Sequence, residues 1–308
     1  MSSAFIFPGQ GSQHVGMGHD LYTSSAAARA VFEQADAALG FGLTHLCFEG
    51  PETQLTATEN AQPALLATSA ALLAALREGG YTAEPTLVAG HSLGEYSALV
   101  AAGALDVATA LRLVRRRGEL MAATHQGGMA AIIGIDEEAL EAVCAEASGA
   151  GAPVVIANYN SPGQLVISGA SAAIERANAL AKAHGAKRAL PLKVSAAFHS
   201  PLMQAAADAL ALAIADAEVS DARLPVVSNV SAMPIRSATD IRAELVAQVT
   251  SPVRWIASVH AMIDAGVDTF VEIGPGTVLT GLIKRIAPEA RLVNISDAAS
   301  LHAFLGHS

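Results

Sequence analysis

Residues 86–100 constrain this chain more than any other stretch. A short apolar run, Thr86-Leu87-Val88-Ala89, meets Gly90-His91-Ser92-Leu93-Gly94 and then the helix-forming Glu95-Tyr96-Ser97-Ala98-Leu99-Val100. The order is strand, sharp turn, helix. A serine at such a turn is lifted out of the sheet and set at a helix N-terminus, where negative charge is favoured. The residue after it can offer its backbone N–H to a developing oxyanion. Gly90 and Gly94 suit a strained elbow with no room for β-carbons. Two readings stand. Ser92 is the nucleophile of acyl-transfer chemistry, or the segment is a glycine-flanked turn whose serine is only a cap.

With 308 residues the chain can bury a large core, as one domain or as one domain carrying a smaller insert. Hydrophobic residues make up 52% and charged ones 15%, which describes a compact globular protein. The net charge of −10 argues against a general nucleic-acid binder, because phosphate binding needs a clustered excess of Lys and Arg. Cys47 and Cys144 make no metal or disulfide framework and fit a reducing compartment. The mean hydropathy of +0.40 reflects alanine-rich helices, and Asp, Glu, Arg or Gly interrupts every run before it could span a bilayer. No basic region opens the chain, and Phe5-Ile6-Phe7 reads as a first strand, not a signal peptide. A cytoplasmic monomer is expected, with no membrane and no nucleic-acid partner.

Pattern and punctuation divide the chain. Residues 4–7 read as a strand ending at Pro8, followed by a glycine-rich loop to Gly18. Helices are expected over 26–39 and 64–78, the second opened by Asn60 and Pro63 and closed by Gly79-Gly80. Asp106 caps a helix running to about residue 124. From there the order changes: strand 129–134, helix 136–148, strands 153–158 and 164–168, helix 171–184, strand 189–194. This β-α-β-β-α-β order is the ferredoxin-like unit. It is bracketed by Gln126-Gly127-Gly128 and Ser195-Ala196-Ala197. The expected fold is therefore α/β: a large α/β domain with a parallel sheet, residues 1–126 and 195–308, and an inserted small ferredoxin-like domain, residues 127–194. In the last third, a helix from Pro201, a strand at 226–228, helices either side of Ser251-Pro252, a strand at 269–272 and a helix at 277–286 complete the large domain.

A nucleophilic serine needs a base. His199, in Phe198-His199-Ser200-Pro201, lies at the end of an irregular segment just before a helix, where catalytic side chains tend to sit. His184 closes a helix, where a cation suits the dipole without further role. No Asp or Glu has a persuasive setting as the third member of a triad; Glu272, at a strand end, is nearest in style. Arg117 falls inside the apolar sector of its helix, beside Ala110, Leu113 and Met121, while Arg112, Arg116 and Glu119 face the opposite way. A buried guanidinium needs an anion, which is either an internal carboxylate or a carboxylate of the substrate. The loop Pro8-Gly9-Gln10-Gly11-Ser12-Gln13 follows the first strand directly. It can cradle phosphate, though without the Lys of a P-loop, or supply a second oxyanion N–H.

These segments together resemble one family. Phe7-Pro8-Gly9-Gln10-Gly11-Ser12-Gln13, Gly90-His91-Ser92-Leu93-Gly94-Glu95-Tyr96, Arg117-Gly118, Asn160-Ser161-Pro162-Gly163-Gln164 and Phe198-His199-Ser200 stand in the order seen in malonyl-CoA:acyl carrier protein transacylases. Gln248 with Pro252-Val253-Arg254-Trp255, and Glu272-Ile273-Gly274-Pro275-Gly276, continue the match. The resemblance implies that the large domain is α/β-hydrolase-like, that Ser92 is acylated and that His199 is its base. It implies that the N–H groups of Gln10 and Leu93 form the oxyanion hole, that Arg117 takes the malonyl carboxylate, and that the Gln248 carbonyl orients His199. It places His91, Phe198 and Met121 at the substrate, with Phe198 pressing on the α-carbon. The partners so implied are malonyl-CoA and an acyl carrier protein bearing phosphopantetheine; no metal or resident cofactor is expected. An acidic carrier would need basic residues, for which Lys187, Arg188, Lys193, Lys284 and Arg285 are candidates. A plain serine hydrolase and a dedicated subunit of a larger malonyl-processing complex are the rival readings.

Overall fold

In the computed structural model, residues 2–124, 126–149, 151–192, 194 and 196–306 are described. Their strands are β1 (Ser3–Phe7), β2 (Leu87–Gly90), β3 (Gly128–Ile133), β4 (Val154–Ser161), β5 (Gln164–Gly169), β6 (Arg188–Pro191), β7 (Val226–Val227), β8 (Pro234–Ile235), β9 (Thr269–Ile273) and β10 (Arg291–Ile295). They form two sheets.

The larger sheet runs in the order β10-β9-β1-β2-β7-β8 and is parallel except at the short edge strand β8. Its central strands are apolar and buried along nearly their whole length, because helices cover both faces. One face packs on the long helix Thr58–Glu78 and its neighbours, the other on Trp255, Val259, Met262 and Leu279. Parallel strands end at the same edge, so the loop after β1 and the elbow after β2 emerge side by side.

The smaller sheet is wholly antiparallel, in the order β4-β5-β3-β6. The helices Glu137–Ala147 and Ser171–Ala183 cover it, and together they enclose a separate apolar core. Element order and strand order are those of the ferredoxin-like unit, so the fold is the expected α/β with two parts. The edge strand β4 is fastened to the larger part: Tyr159 N donates to Val253 O at 2.9 Å, and Val253 N to Ala157 O at 2.8 Å.

Two expectations are corrected. The helix placed at 64–78 begins at Thr58, and Pro63 lies within it rather than opening it. A proline there cannot donate to the carbonyl of Glu59. Arg115, on the helix Val107–Ala122, takes that carbonyl instead at 3.1 Å and binds Asn60 Oδ1 at 2.6 Å. Asn60 is thus a bridge between helices rather than a cap. The two helices touch at Gly118, where a Cβ would stand 2.7 Å from Glu59 Cα. The strand placed at 189–194 is confined to Arg188–Pro191. Lys193, and Ser195 at the expected domain junction, lie outside the described residues.

Candidate active site

The elbow is built from absences. A Cβ on Gly90 would stand 1.9 Å from Gly94 C, and one on Gly94 would stand 2.1 Å from Phe7 O. Only glycine lets the turn close this tightly. Ser92 itself takes φ 52°, a left-handed conformation costly for a side chain with a Cβ. Neighbours hold it there. Ser92 N donates to Asn229 Oδ1 at 2.7 Å, Asn229 Nδ2 donates to Gly90 O at 2.7 Å, and Gln248 Nε2 donates to Ser92 O at 3.0 Å.

His199 also has a positive φ, 57°, and its ring meets the serine: Nε2 stands 2.7 Å from Ser92 Oγ. Nδ1 faces two carbonyl oxygens, Gln248 O at 2.8 Å and Ser251 O at 3.2 Å. Carbonyls only accept, so Nδ1 carries the hydrogen and Nε2 is left as the acceptor toward Ser92. Burial, and then the charge of Arg117, brings the His199 pKa down from 6.5 to about 3. The ring is therefore a neutral base near pH 7.

Arg117 is 1% exposed. Its Nη1 donates to Gln62 Oε1 at 2.8 Å, and its Nη2 to Gln248 Oε1 at 2.9 Å and to Ser92 Oγ at 3.1 Å. Its Nε has no partner among the described residues. Every group that Arg117 meets is neutral, and no carboxylate lies within ion-pair distance among the described residues. The expected alternative of an internal salt bridge is thereby removed. Among the described residues, the apolar sector of the helix thus carries a positive charge that no carboxylate touches, beside the Ser92 hydroxyl.

These groups open on a cleft of about 760 Å³ between the two sheets. Gln10, Leu93, His91, Met121 and Phe198 line it with Ser92, Arg117 and His199, and the smaller part contributes Met129, Asn158 and Leu192. Among the described residues, the backbone N–H groups of Gln10 and Leu93 have no acceptor. His91 Nε2 meets Asn160 Oδ1 at 2.8 Å, its ring stands edge-on to Trp255, and burial lowers its pKa. Met121 Sδ accepts from Gln62 Nε2 at 3.7 Å, which turns the Gln62 oxygen toward Arg117.

The arrangement brings a histidine ring and a buried guanidinium together at one serine hydroxyl. An acyl transferase domain model matches residues 4–302. The malonyl CoA-acyl carrier protein transacylase of Bacillus subtilis is 49% identical over 97% of this chain and 94% of its own length. The chain belongs to the malonyl CoA-acyl carrier protein transacylase family. The Escherichia coli K12 member is 46% identical, with 98% of each chain covered. Among solved structures, a malonyl-transacylase in complex with a type II PKS acyl-carrier protein superposes with TM-score 0.96, at 46% identity and full coverage of both chains. An acyl carrier protein S-malonyltransferase from Vibrio cholerae gives TM-score 0.96 at 45% identity, with 99% of this chain and 100% of that chain covered.

Glu272 does not join the site. Its carboxyl oxygens accept from Leu279 N at 3.0 Å and Thr280 N at 2.8 Å, so it caps the helix Val278–Ile286. Of the basic candidates, Lys187, Arg188 and Arg285 gather at one end of the smaller sheet. Ile133 pairs with both Arg188 and Gln164, and Arg285 Nη1 donates to Gln164 Oε1 at 2.7 Å. That end lies about 13 Å along β6 from Leu192, which lines the cleft. Sequence reasoning gave no part to Gln62, Glu95, Asn229 or Glu244. Gln62 had a usable signal, a polar residue within an apolar helix face, the same signal that singled out Arg117.

Proposed function

We propose that this acyltransferase carries malonyl groups from coenzyme A to the phosphopantetheine thiol of an acyl carrier protein through a malonyl ester of Ser92, feeding fatty acid or polyketide elongation. The observation that carries the reading is the Ser92 hydroxyl, held between a neutral His199 and an Arg117 that meets no carboxylate.

In this reading His199 Nε2 takes the hydroxyl proton as Ser92 Oγ attacks the thioester carbonyl. The N–H groups of Gln10 and Leu93 receive the oxyanion, at about 3 kcal/mol of barrier each by comparison with other oxyanion holes. The tetrahedral intermediate collapses, the coenzyme A sulfur leaves with the proton from His199, and the ester remains. The carrier thiol then gives its proton to His199 and attacks the ester; the Ser92 Oγ–acyl bond breaks, and Oγ takes that proton back from His199 as the carrier thioester is released. Arg117 pairs with the free carboxylate of the malonyl group; an acetyl group lacks it and would leave the guanidinium unanswered. Phe198 closes the space at the α-carbon against a methyl branch, and Met121 and His91 wall the acyl site. Residues 1–126 and 195–308 act as the catalytic domain and 127–194 as the insert that closes the cleft. The protein works as a cytoplasmic monomer without a resident cofactor. No helix of the described residues is long and apolar enough to cross a membrane.

Intact-protein mass spectrometry after mixing with malonyl-CoA tests the central step. One malonyl adduct is expected, discharged by carrier protein and absent in Ser92→Ala. An adduct that persists in Ser92→Ala would overturn the assignment.

A further inference from the structure

Behind the nucleophile lies a buried carboxyl that the mechanism above does not use. Glu95 is 1% exposed, in the first turn of the helix Gly94–Ala101. Its Oε1 accepts from Asn229 N at 3.0 Å, and its Oε2 accepts from Gln248 Nε2. Those two residues are the ones that grip Ser92, at its N–H and at its carbonyl. Gln248 also presents Oε1 to Arg117. A primary amide can place its oxygen on one side only. The two acceptors on the Nε2 side, the Glu95 carboxyl and the Ser92 carbonyl, therefore hold the oxygen, and not the NH2, toward the guanidinium.

We propose that Glu95 is the positioning residue of this site: through Gln248 and Asn229 it fixes the strained backbone of Ser92, and it keeps Arg117 paired to an amide instead of to a carboxylate. Gln248 stands between the two as a neutral spacer. An acid adjoining Arg117 directly would neutralise the charge that the acyl carboxylate needs. Glu95 avoids this by acting one amide away. Burial, followed by the facing Glu244, pushes its carboxyl well above the usual range. Glu244 is itself pinned by Ser228 Oγ at 2.6 Å and Val230 N at 3.1 Å, so the pair cannot swing apart.

The inference rests on the proposed role of Arg117 and has its own test. Glu95→Gln puts an NH2 where one of the two donors now finds an oxygen, which loosens the grip on the Gln248 amide and with it the oxygen held toward Arg117. Acylation by malonyl-CoA and acetyl-CoA is measured in Glu95→Gln, Gln248→Ala and the double variant. Expected are a loss of malonyl-over-acetyl preference of about tenfold in Glu95→Gln, and a double variant no slower than Gln248→Ala alone. Losses that multiply, with the preference intact, overturn the inference. If Glu95→Gln does not fold, Glu95→Asp, which keeps the acid but shortens its reach, enters the same cycle with the same two outcomes. Arg117→Ala run alongside separates the two claims. A preserved malonyl preference there defeats the carboxylate assignment, while the coupling of Glu95 to Gln248 still decides the positioning.

Discussion

The Nδ1 of His199 stands 2.8 Å from the carbonyl oxygen of Gln248, a main-chain acceptor where a serine hydrolase would place a carboxylate. A peptide carbonyl orients the ring as well as an acid does but brings no full negative charge. Burial, and then the charge of Arg117, outweigh what the carbonyls lend to the imidazolium, and the His199 pKa falls to about 3.

The acylation half-reaction should therefore be nearly flat between pH 8 and about pH 5, because the base stays neutral far below the ordinary histidine range. Stopped-flow acylation by malonyl-CoA checks this; a tenfold fall centred near 6.5 would contradict it. Stability moves in the same window. An unfolded chain protonates this histidine below 6.5 while the folded one resists to about 3, so its share of stability is whole above 6.5 and declines as pH falls toward 3.

Arg117→Lys keeps a positive charge and loses the fork. A single ammonium cannot serve Gln62, Gln248 and an incoming carboxylate together. The KM for malonyl-CoA should rise by about tenfold or more while acetyl transfer changes little. Initial-rate measurements with both thioesters decide it, and equal losses would make the arginine structural.

Asn229→Ala should slow acylation by about ten- to a hundredfold, because Ser92 N and Gly90 O both lose their partners in a buried setting. Asn229→Asp restores the acceptor but not the donor, so it should recover only part of the rate. Single-turnover acylation of the two variants, with thermal melting to confirm folding, is the comparison. Full activity in Asn229→Ala would show that the elbow holds itself.

Glu272→Gln should leave transfer within about twofold of the parent while lowering the melting temperature by a few degrees, the effect of weakening a helix cap. A large loss of activity with an unchanged melting temperature would return this acid to the site.

The elbow, the histidine that meets its serine and the apolar-sector arginine were legible because each breaks a local rule: a serine between obligatory glycines, a histidine at a loop end, a charge on an oily face. The ferredoxin-like insert was legible because its strands and helices alternate at regular lengths. Pro63 misled, since a proline inside a helix is normally excluded and its rescue comes from Arg115, 52 positions away. Strand β10 and the helix Ala298–Leu305 were not anticipated. The edge strand carries a mixed, half-buried pattern, in contrast to the uniform runs of β1 and β9. Glu95 and Asn229 were hidden for a different reason. Each is polar, buried and satisfied by a residue more than 130 positions distant, so no window of sequence displays the pairing.

The close approach of Gly118 to Glu59 has a consequence for how such an enzyme could change its preferred acyl group. Gln62 and Arg117, which meet at the wall of the cleft, sit about one turn or less along from that contact on their respective helices. The distance between two backbones, set outside the cleft, thus gauges the aperture inside it. Exchanging side chains at the cleft wall would repaint the chamber. Admitting a wider acid would require the two helices to separate at the glycine, and so a new contact at Thr58 and Glu59 as well as a new arginine environment.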